Sequence, residues 1–394
     1  MRDPRYITLL GACLTQFTVI GMLFTVGLFI KPFEAEFGWS RTLVSASSAL
    51  AFFMMGTLAM VGGRLNDRFG PRPVLAVAGL AYGLGFVLMS RISEPWHLLA
   101  LFGTLIGVGL STHDVVTLST IARWFQGRRG IMSGVVKSGT ALGQIAVPPT
   151  AALLIAALGW RSALVVLGLT AATLLLLAAF LMQRPPERPR SSAEIKTVLE
   201  TEIKTGTPFA TARRSRIFWT LCAIQFLFFP VLMSIPLHLP VHGIDLGLSA
   251  ATAATLLSVI GAASIAGRLI LGALTDRIGG KNAYTLALAI LLTSMAALTL
   301  TTTAAPLFAV VALYGFAHGA LFVVVSPTAA EYFGMRAHGA IFGTVLFFGT
   351  LGGALGPIVL GVVFDRTGSY QPAFIALTCA AALALVLARS LPRP

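Results

Sequence analysis

Long apolar runs separated by polar breaks organise this chain from end to end. Twelve stretches are apolar over about 20 residues or more, the length needed to cross a bilayer: 7–30, 41–63, 73–91, 98–121, 129–155, 160–182, 216–240, 250–274, 282–303, 306–330, 339–364 and 371–390. In hydrocarbon every backbone N–H and C=O must be satisfied inside its own segment, so runs of this length predict helices. Most breaks between them are short. The pattern predicts an all-α membrane protein with twelve transmembrane helices.

Composition agrees. With 56% hydrophobic and 11% charged residues among 394, and a mean hydropathy of +0.87, the chain is too apolar for a soluble domain, and a bilayer is its solvent. Arg2 and Arg5 ahead of the first run imitate a secretory leader. The run is too long for one and lacks a small-residue cleavage site, so it is read as the first helix. Cys13, Cys222 and Cys379 each lie inside an apolar run and are read as packing residues. The net charge of +14 invites a nucleic-acid reading until the basic residues are located. With the N-terminus in the cytoplasm, 21 of the 28 Lys and Arg are cytoplasmic, five lie outside (Lys31, Arg41, Arg91, Arg161, Arg366) and two lie in the membrane (Lys137, Arg268). That asymmetry excludes nucleic acid as a partner and predicts that both termini are cytoplasmic.

One polar stretch is long. Residues 183–215 begin QRPPERPR, end ARRSR, and space Glu194, Lys196, Glu200, Glu202 and Lys204 like a short amphipathic surface helix. This predicts a cytoplasmic linker between an N-terminal half, 1–182, and a C-terminal half, 216–394; its charges read most simply as a solvated connection. The halves repeat each other at a constant shift of 209 residues: Gly63, Asp67 and Gly70 fall on Gly272, Asp276 and Gly279, and Gly130, Gly134, Gly143 and Pro148 on Gly339, Gly343, Gly352 and Pro357. The expected architecture is two pseudo-symmetric six-helix halves. Parallel repeats of this kind put a substrate site near the midplane, with transport by rocking of one half against the other.

Two loops carry the repeat most visibly, GRLNDRFGPRP from Gly63 and GALTDRIGGKN from Gly272. Their glycines allow close helix approach, and the aspartates can meet the positive end of a neighbouring helix while the arginines stay in water. Asp67, Arg68, Asp276 and Arg277 are therefore expected to gate. These loops resemble the signature of the major facilitator superfamily. Two further stretches, EFGWSR (Glu36–Arg41) and ARWFQGRRGIMSG (Ala122–Gly134), resemble bacterial monocarboxylate transporters and the related oxalate/formate exchangers. Physically, the second offers an interfacial Trp124 anchor, a cytoplasmic arginine cluster and small packing residues. GTALGQIAVPP in the fifth run lacks the Gly-Pro step of drug antiporters.

An ionisable group at membrane depth costs several kcal/mol unless paired or hydrated, so each is a candidate for function. Arg268, Lys137, Asp114 and His318 are such groups, and at the 209 shift they meet Ala59, Leu346, Val323 and Gly109. They look like additions to a symmetric frame. Arg268 either snorkels to headgroups or offers a planar fork to a carboxylate. The resemblance supports the fork, because monocarboxylate transporters and oxalate exchangers carry an anion-binding arginine in helix 8. Asp114 and Lys137 form either a structural ion pair or a set of exchangeable partners that carries a proton. His113 and His318 are read as proton carriers or as packing residues, and Tyr314 lies one turn from His318 on the same face. Arg268, Lys137 and Asp114 sum to +1, which suits a monoanion. His238 and His242 have metal-pair spacing, but Pro240 lies between them and no third ligand follows, so neither metal nor cofactor is expected. Ser264 stands where animal monocarboxylate transporters place an acid one turn before the helix 8 arginine, and residues 7–30 and 339–364 contain no lysine.

The expected function is secondary active transport of a small, lactate- or pyruvate-like monocarboxylate by alternating access, with proton symport, in a bacterial inner membrane. Arg268, Lys137, Tyr314 and His318 are the expected substrate ligands, and Asp114 and His113 the proton-coupling groups. The alternatives are an oxalate/formate-type exchanger or an exporter of another amphiphilic molecule. A membrane enzyme would need a clustered nucleophile or metal, and a receptor would need an added soluble domain. A monomer is expected.

Overall fold

The computed structural model describes residues 3–125, 129–184, 206–334 and 336–393. Eleven stretches are long and apolar enough to span a membrane. One of them belongs to the 53-residue helix Arg129–Leu181, which breaks at Gly159 with φ 74° and ψ 160°. Gly70 (86°, 173°) and Gly279 (81°, 158°) adopt nearly the same conformation at two other helix junctions. Gly159 is therefore a junction of the same kind, and the spans number twelve among the described residues. They are α1 (Pro4–Phe37), α2 (Arg41–Phe69), α3 (Pro71–Met89), α4 (Pro95–Trp124), α5 (129–158), α6 (160–181), α7 (Arg216–Asp245), α8 (Ala250–Ile278), α9 (Gly280–Leu300), α10 (Leu307–Phe333), α11 (His338–Thr367) and α12 (Gln371–Ser390). No strand is formed among the described residues; Gly206 and Gly334 make one isolated bridge.

Local chemistry sets the helix starts. Ser40, Ser215 and Ser249 each accept the backbone N–H of the residue three further on, which satisfies a donor the helix leaves free. Several helices outrun their apolar stretch. α8 continues past 274 through Thr275, Asp276 and Arg277, because hydropathy marks membrane thickness and not the end of hydrogen bonding. Leu269, Ile270, Val77, Phe180 and Leu300 point outward, as lipid-facing positions do.

The two halves pack alike. α1 lies along α5 as α7 lies along α11; α2 meets α4 as α8 meets α10; α3 meets α6 as α9 meets α12. The halves join through α2 with α11 and α5 with α8, a pair of contacts that exchange under the same symmetry. One glycine pair shows the physical reason for the repeat. A Cβ on Gly143 would strike the Phe17 carbonyl oxygen, and one on Gly352 would strike that of Phe226. Positions 17 and 226 are themselves 209 apart. Of the linker expected over 183–215, residues 185–205, including the expected amphipathic helix, lie outside the described residues. The described end forms a short helix, Phe209–Ala212, and Thr207 donates its N–H to the Phe333 carbonyl at 2.7 Å.

Candidate functional site

The in-membrane charges converge where α1, α4, α5 and α8 meet. Asp114 lies ten residues before the Trp124 end of α4, Lys137 eight after the start of α5, and Arg268 ten before the Ile278 end of α8. At 1.5 Å per residue Arg268 lies about 15 Å from that helix end and about 9 Å inside the apolar stretch that stops at 274. Its neighbours Leu269 and Ile270 are exposed while Arg268 turns inward.

Asp114 Oδ1 accepts from Lys137 Nζ at 2.5 Å and from Gln16 Nε2 at 2.7 Å, and His113 Nε2 stands 3.5 Å away. Gln16 is itself held, its Oε1 accepting from Thr140 at 2.9 Å. Asp114 and Lys137 thus form the ion pair between α4 and α5, with Gln16 of α1 as a third member that sequence reasoning missed. Its only signal was an amide inside an apolar run. His113 is buried, and its Nδ1 lies 2.5 Å from the Leu110 carbonyl.

Arg268 reaches across the halves. Its Nη1 donates to the Lys137 carbonyl at 3.0 Å, its Nε has no partner, and it makes no ion pair among the described residues. The guanidinium lies 5.8 Å from the Phe322 ring centre, and Phe322 in turn lies 5.2 Å from the His318 ring. His318 is buried with both ring nitrogens unpartnered among the described residues, walled by Phe24, Tyr314 and Phe322. Ser264 Oγ and Gln144 Oε1 are also buried without partners. A buried polar group left unpaired costs about 1–3 kcal/mol, which sets these side chains apart from the paired Asp114, Lys137 and Gln16 beside them. Beyond Phe24 a small cavity of about 30 Å³ lies between the halves, lined by Phe24, Phe52, Met233 and Leu237 among others.

Tyr314 is placed differently from the expectation. Its hydroxyl donates to the Val231 and Leu232 carbonyls at 3.1 and 3.3 Å. Pro236 has no N–H to give to the Leu232 carbonyl one turn earlier, and the phenol supplies the missing donor. Tyr314 therefore secures α7, and the structure brings only its ring to His318.

The four gating candidates divide. Asp67 pairs with Arg123 of α4 and its carbonyl accepts from Arg184, whereas Arg68 lies over Phe69. Asp276 and Arg277 are exposed at the end of α8 and make no ion pair among the described residues. There Glu331 of α10 instead takes the Gly280 N–H at 2.6 Å, a carboxylate at the positive end of α9 that the loop motif did not reveal. His238 is engaged by Ser45, Tyr370 and the Pro357 carbonyl, and no three metal-ligating side chains cluster among the described residues.

The chain is similar to known membrane transporters along most of its length. The chain is 30% identical over 377 residues to monocarboxylate transporter 13 of Bos taurus, covering 94% of this chain and 85% of that one. It is 29% identical over 349 residues to the uncharacterized MFS-type transporter YhjX of Escherichia coli K12, covering 86% and 84%. Among solved structures, a bacterial homologue of the human lysosomal transporter Spinster, in an inward-facing, unoccupied conformation, superposes with a TM-score of 0.77 at 14% identity, covering 99% and 98%. The family model of the Major Facilitator Superfamily matches residues 12–357, and the chain belongs to that superfamily as a multi-pass membrane transporter, not an enzyme.

Proposed function

We propose that the protein carries a small organic monocarboxylate across a bacterial inner membrane by alternating access, with both termini cytoplasmic and a proton as co-substrate. One observation carries the reading: Arg268 is an inward-turned guanidinium at the junction of the halves that donates to a carbonyl and meets no carboxylate among the described residues. A substrate carboxylate completes it, Nη and the idle Nε forming the fork that a planar guanidinium offers. His318, unpartnered beyond Phe322, supplies a further hydrogen bond, and Lys137 adds positive potential. With Asp114 counted, the site carries +1, which suits one carboxylate better than two. The names of the relatives point to the same substrate class. Asp114 and His113 carry the proton in this reading, and Asp67, Arg68, Asp276 and Arg277 gate the end that bears the termini. The chain works as a monomer.

Asp114 is already committed to Lys137 and Gln16, and that favours a second reading in which carboxylates exchange with no proton. Uptake of radiolabelled lactate into proteoliposomes, with and without an inward proton gradient, separates the two. Gradient-stimulated uptake supports symport. Uptake driven only by an internal carboxylate load supports exchange, and no uptake of any monocarboxylate in either format refutes the substrate class.

A further inference from the structure

The end of the molecule opposite the termini is locked by charges that the proposed transport chemistry does not use. Arg41, the first residue of α2, is 2% exposed. Its Nη1 and Nη2 fork the Asp245 carboxylate of α7 at 2.7 and 3.3 Å, and Nη1 also donates to the Tyr370 hydroxyl at 2.8 Å. Its Nε donates to Glu34 at 2.6 Å, and its guanidinium carbon lies 3.5 Å from the Phe364 ring centre. Lys31 joins Asp245 at 2.9 Å and Glu34 at 3.3 Å. Asp365 of α11 accepts the Arg41 and Thr42 N–H groups at 3.1 and 3.0 Å, placing a C-terminal-half carboxylate on the α2 N-terminus. Below it, His238 of α7 bonds Ser45 of α2 at 3.0 Å. Lys31, Glu34 and Arg41 belong to the N-terminal half, and Asp245, Asp365, Tyr370 and Phe364 to the C-terminal half. The halves meet here as +1 against −2.

Along both inter-half seams, contact fades toward the termini. On α11, Gly361 presses on Thr42 of α2, Thr350 stands 3.9 Å from a Cβ built on Gly56, and a Cβ built on Gly343, two turns further on the same face, meets nothing within 4 Å among the described residues. On α5, Ile145 accepts from Ser258 at 2.6 Å, Ala141 abuts Gly261, Lys137 meets Arg268, and a Cβ built on Gly134, again two turns from Ala141, meets nothing within 4 Å among the described residues. The seams are shut at the Arg41 end and splayed at the termini end.

We propose that Arg41 is the latch of the gate opposite the termini: its cross-half fork to Asp245 holds the halves shut there, and transport requires that fork to part. Arg41 is withdrawn from water in the latched form, whereas about a quarter of the Asp245 side chain, 26%, stays exposed. Asp245→Asn therefore leaves a buried guanidinium with Glu34 of its own half as its remaining carboxylate, Arg41→Gln removes the fork itself, and either shifts the equilibrium toward the parted form. Glu34 rides on the same half as Arg41 and adds nothing across the seam. The proposal rests on the alternating-access reading but not on any substrate.

The test is the rate of cysteine labelling by a membrane-impermeant maleimide, in protein whose three cysteines are replaced by serine. Ser48→Cys, under the latch on α2, reports the far face; Gly343→Cys reports the termini face. Asp245→Asn and Arg41→Gln are expected to raise Ser48→Cys labelling about tenfold and to lower that of Gly343→Cys, while Glu34→Gln changes either rate less than threefold. A tenfold shift is about 1.4 kcal/mol of the equilibrium between the two forms. A mere loss of folding would raise both rates. Unchanged labelling in Asp245→Asn and Arg41→Gln, or a parallel rise at both reporters, overturns the latch. Because no transported molecule is needed, failure of the carboxylate reading leaves this result standing, and the reverse holds for the uptake assay.

Discussion

Replacing Arg268 separates a binding residue from a scaffold residue. Its side chain contributes one hydrogen bond to a carbonyl, at 3.0 Å, and no ion pair among the described residues. Arg268→Ala therefore removes little that holds the protein together, and it also removes an uncompensated buried charge, so thermal stability in detergent is expected to hold or rise. The cost falls on the substrate. Truncating one partner of a buried, hydrogen-bonded charge pair costs about 2–5 kcal/mol. Taking about 3 kcal/mol, the Kd for a monocarboxylate rises by about two orders of magnitude, since each 1.4 kcal/mol is a factor of about ten. Arg268→Lys keeps the charge but loses the fork and the idle Nε, so a rise of about tenfold is expected. Calorimetric titration of the purified protein with lactate or pyruvate, beside a melting curve for each variant, reads both quantities. Unchanged affinity in Arg268→Ala would refute the site. A melting temperature that falls in step with lost binding would refute the division between binding and scaffold.

Further substitutions test its neighbours. Asp114→Asn is expected to abolish stimulation by a proton gradient while leaving counterflow of labelled carboxylate measurable; gradient-driven uptake that survives would remove Asp114 from proton coupling. Tyr314→Phe is expected to lower stability by about 1 kcal/mol, because the Leu232 carbonyl left free by Pro236 loses its donor, while KM for the carboxylate stays within twofold; a tenfold rise in KM would return the phenol to the substrate. Gly143→Leu and Gly352→Leu are each expected to cost about 1–3 kcal/mol or more, since both drive a side chain into a carbonyl of the facing helix. Fluorescence size-exclusion of the two proteins would show similar losses, and an effect confined to one half would break the symmetry argument.

How far the sequence could be read depended on whether the physics was local. The spans were legible because the demand of hydrocarbon on the backbone acts residue by residue. The break at Gly159 was legible for a similar reason, as a gap between apolar runs where the helix hydrogen bonding barely pauses. The repeat exposed Gly143 and Gly352, though not the carbonyls they approach. Helix ends were misplaced because water-soluble turns extend the bonded helix beyond the membrane, as at Thr275–Arg277 of α8. Charges inside the apolar runs announced Asp114, Lys137 and Arg268. What stayed hidden was the partner of each polar group. Tyr314 resembled a ligand until the Leu232 carbonyl, 82 residues away in the chain, claimed its hydroxyl. Arg41 resembled an ordinary outside charge, and its partners lie 7, 204 and 329 residues away. The same side chain thus stands twice at the junction of the halves, at Arg41 with its hydrogen bonds filled by two carboxylates and a phenol, and at Arg268 with its Nε idle. Partner count, which only the fold determines, is what separates the latch proposed at Arg41 from the substrate site proposed at Arg268.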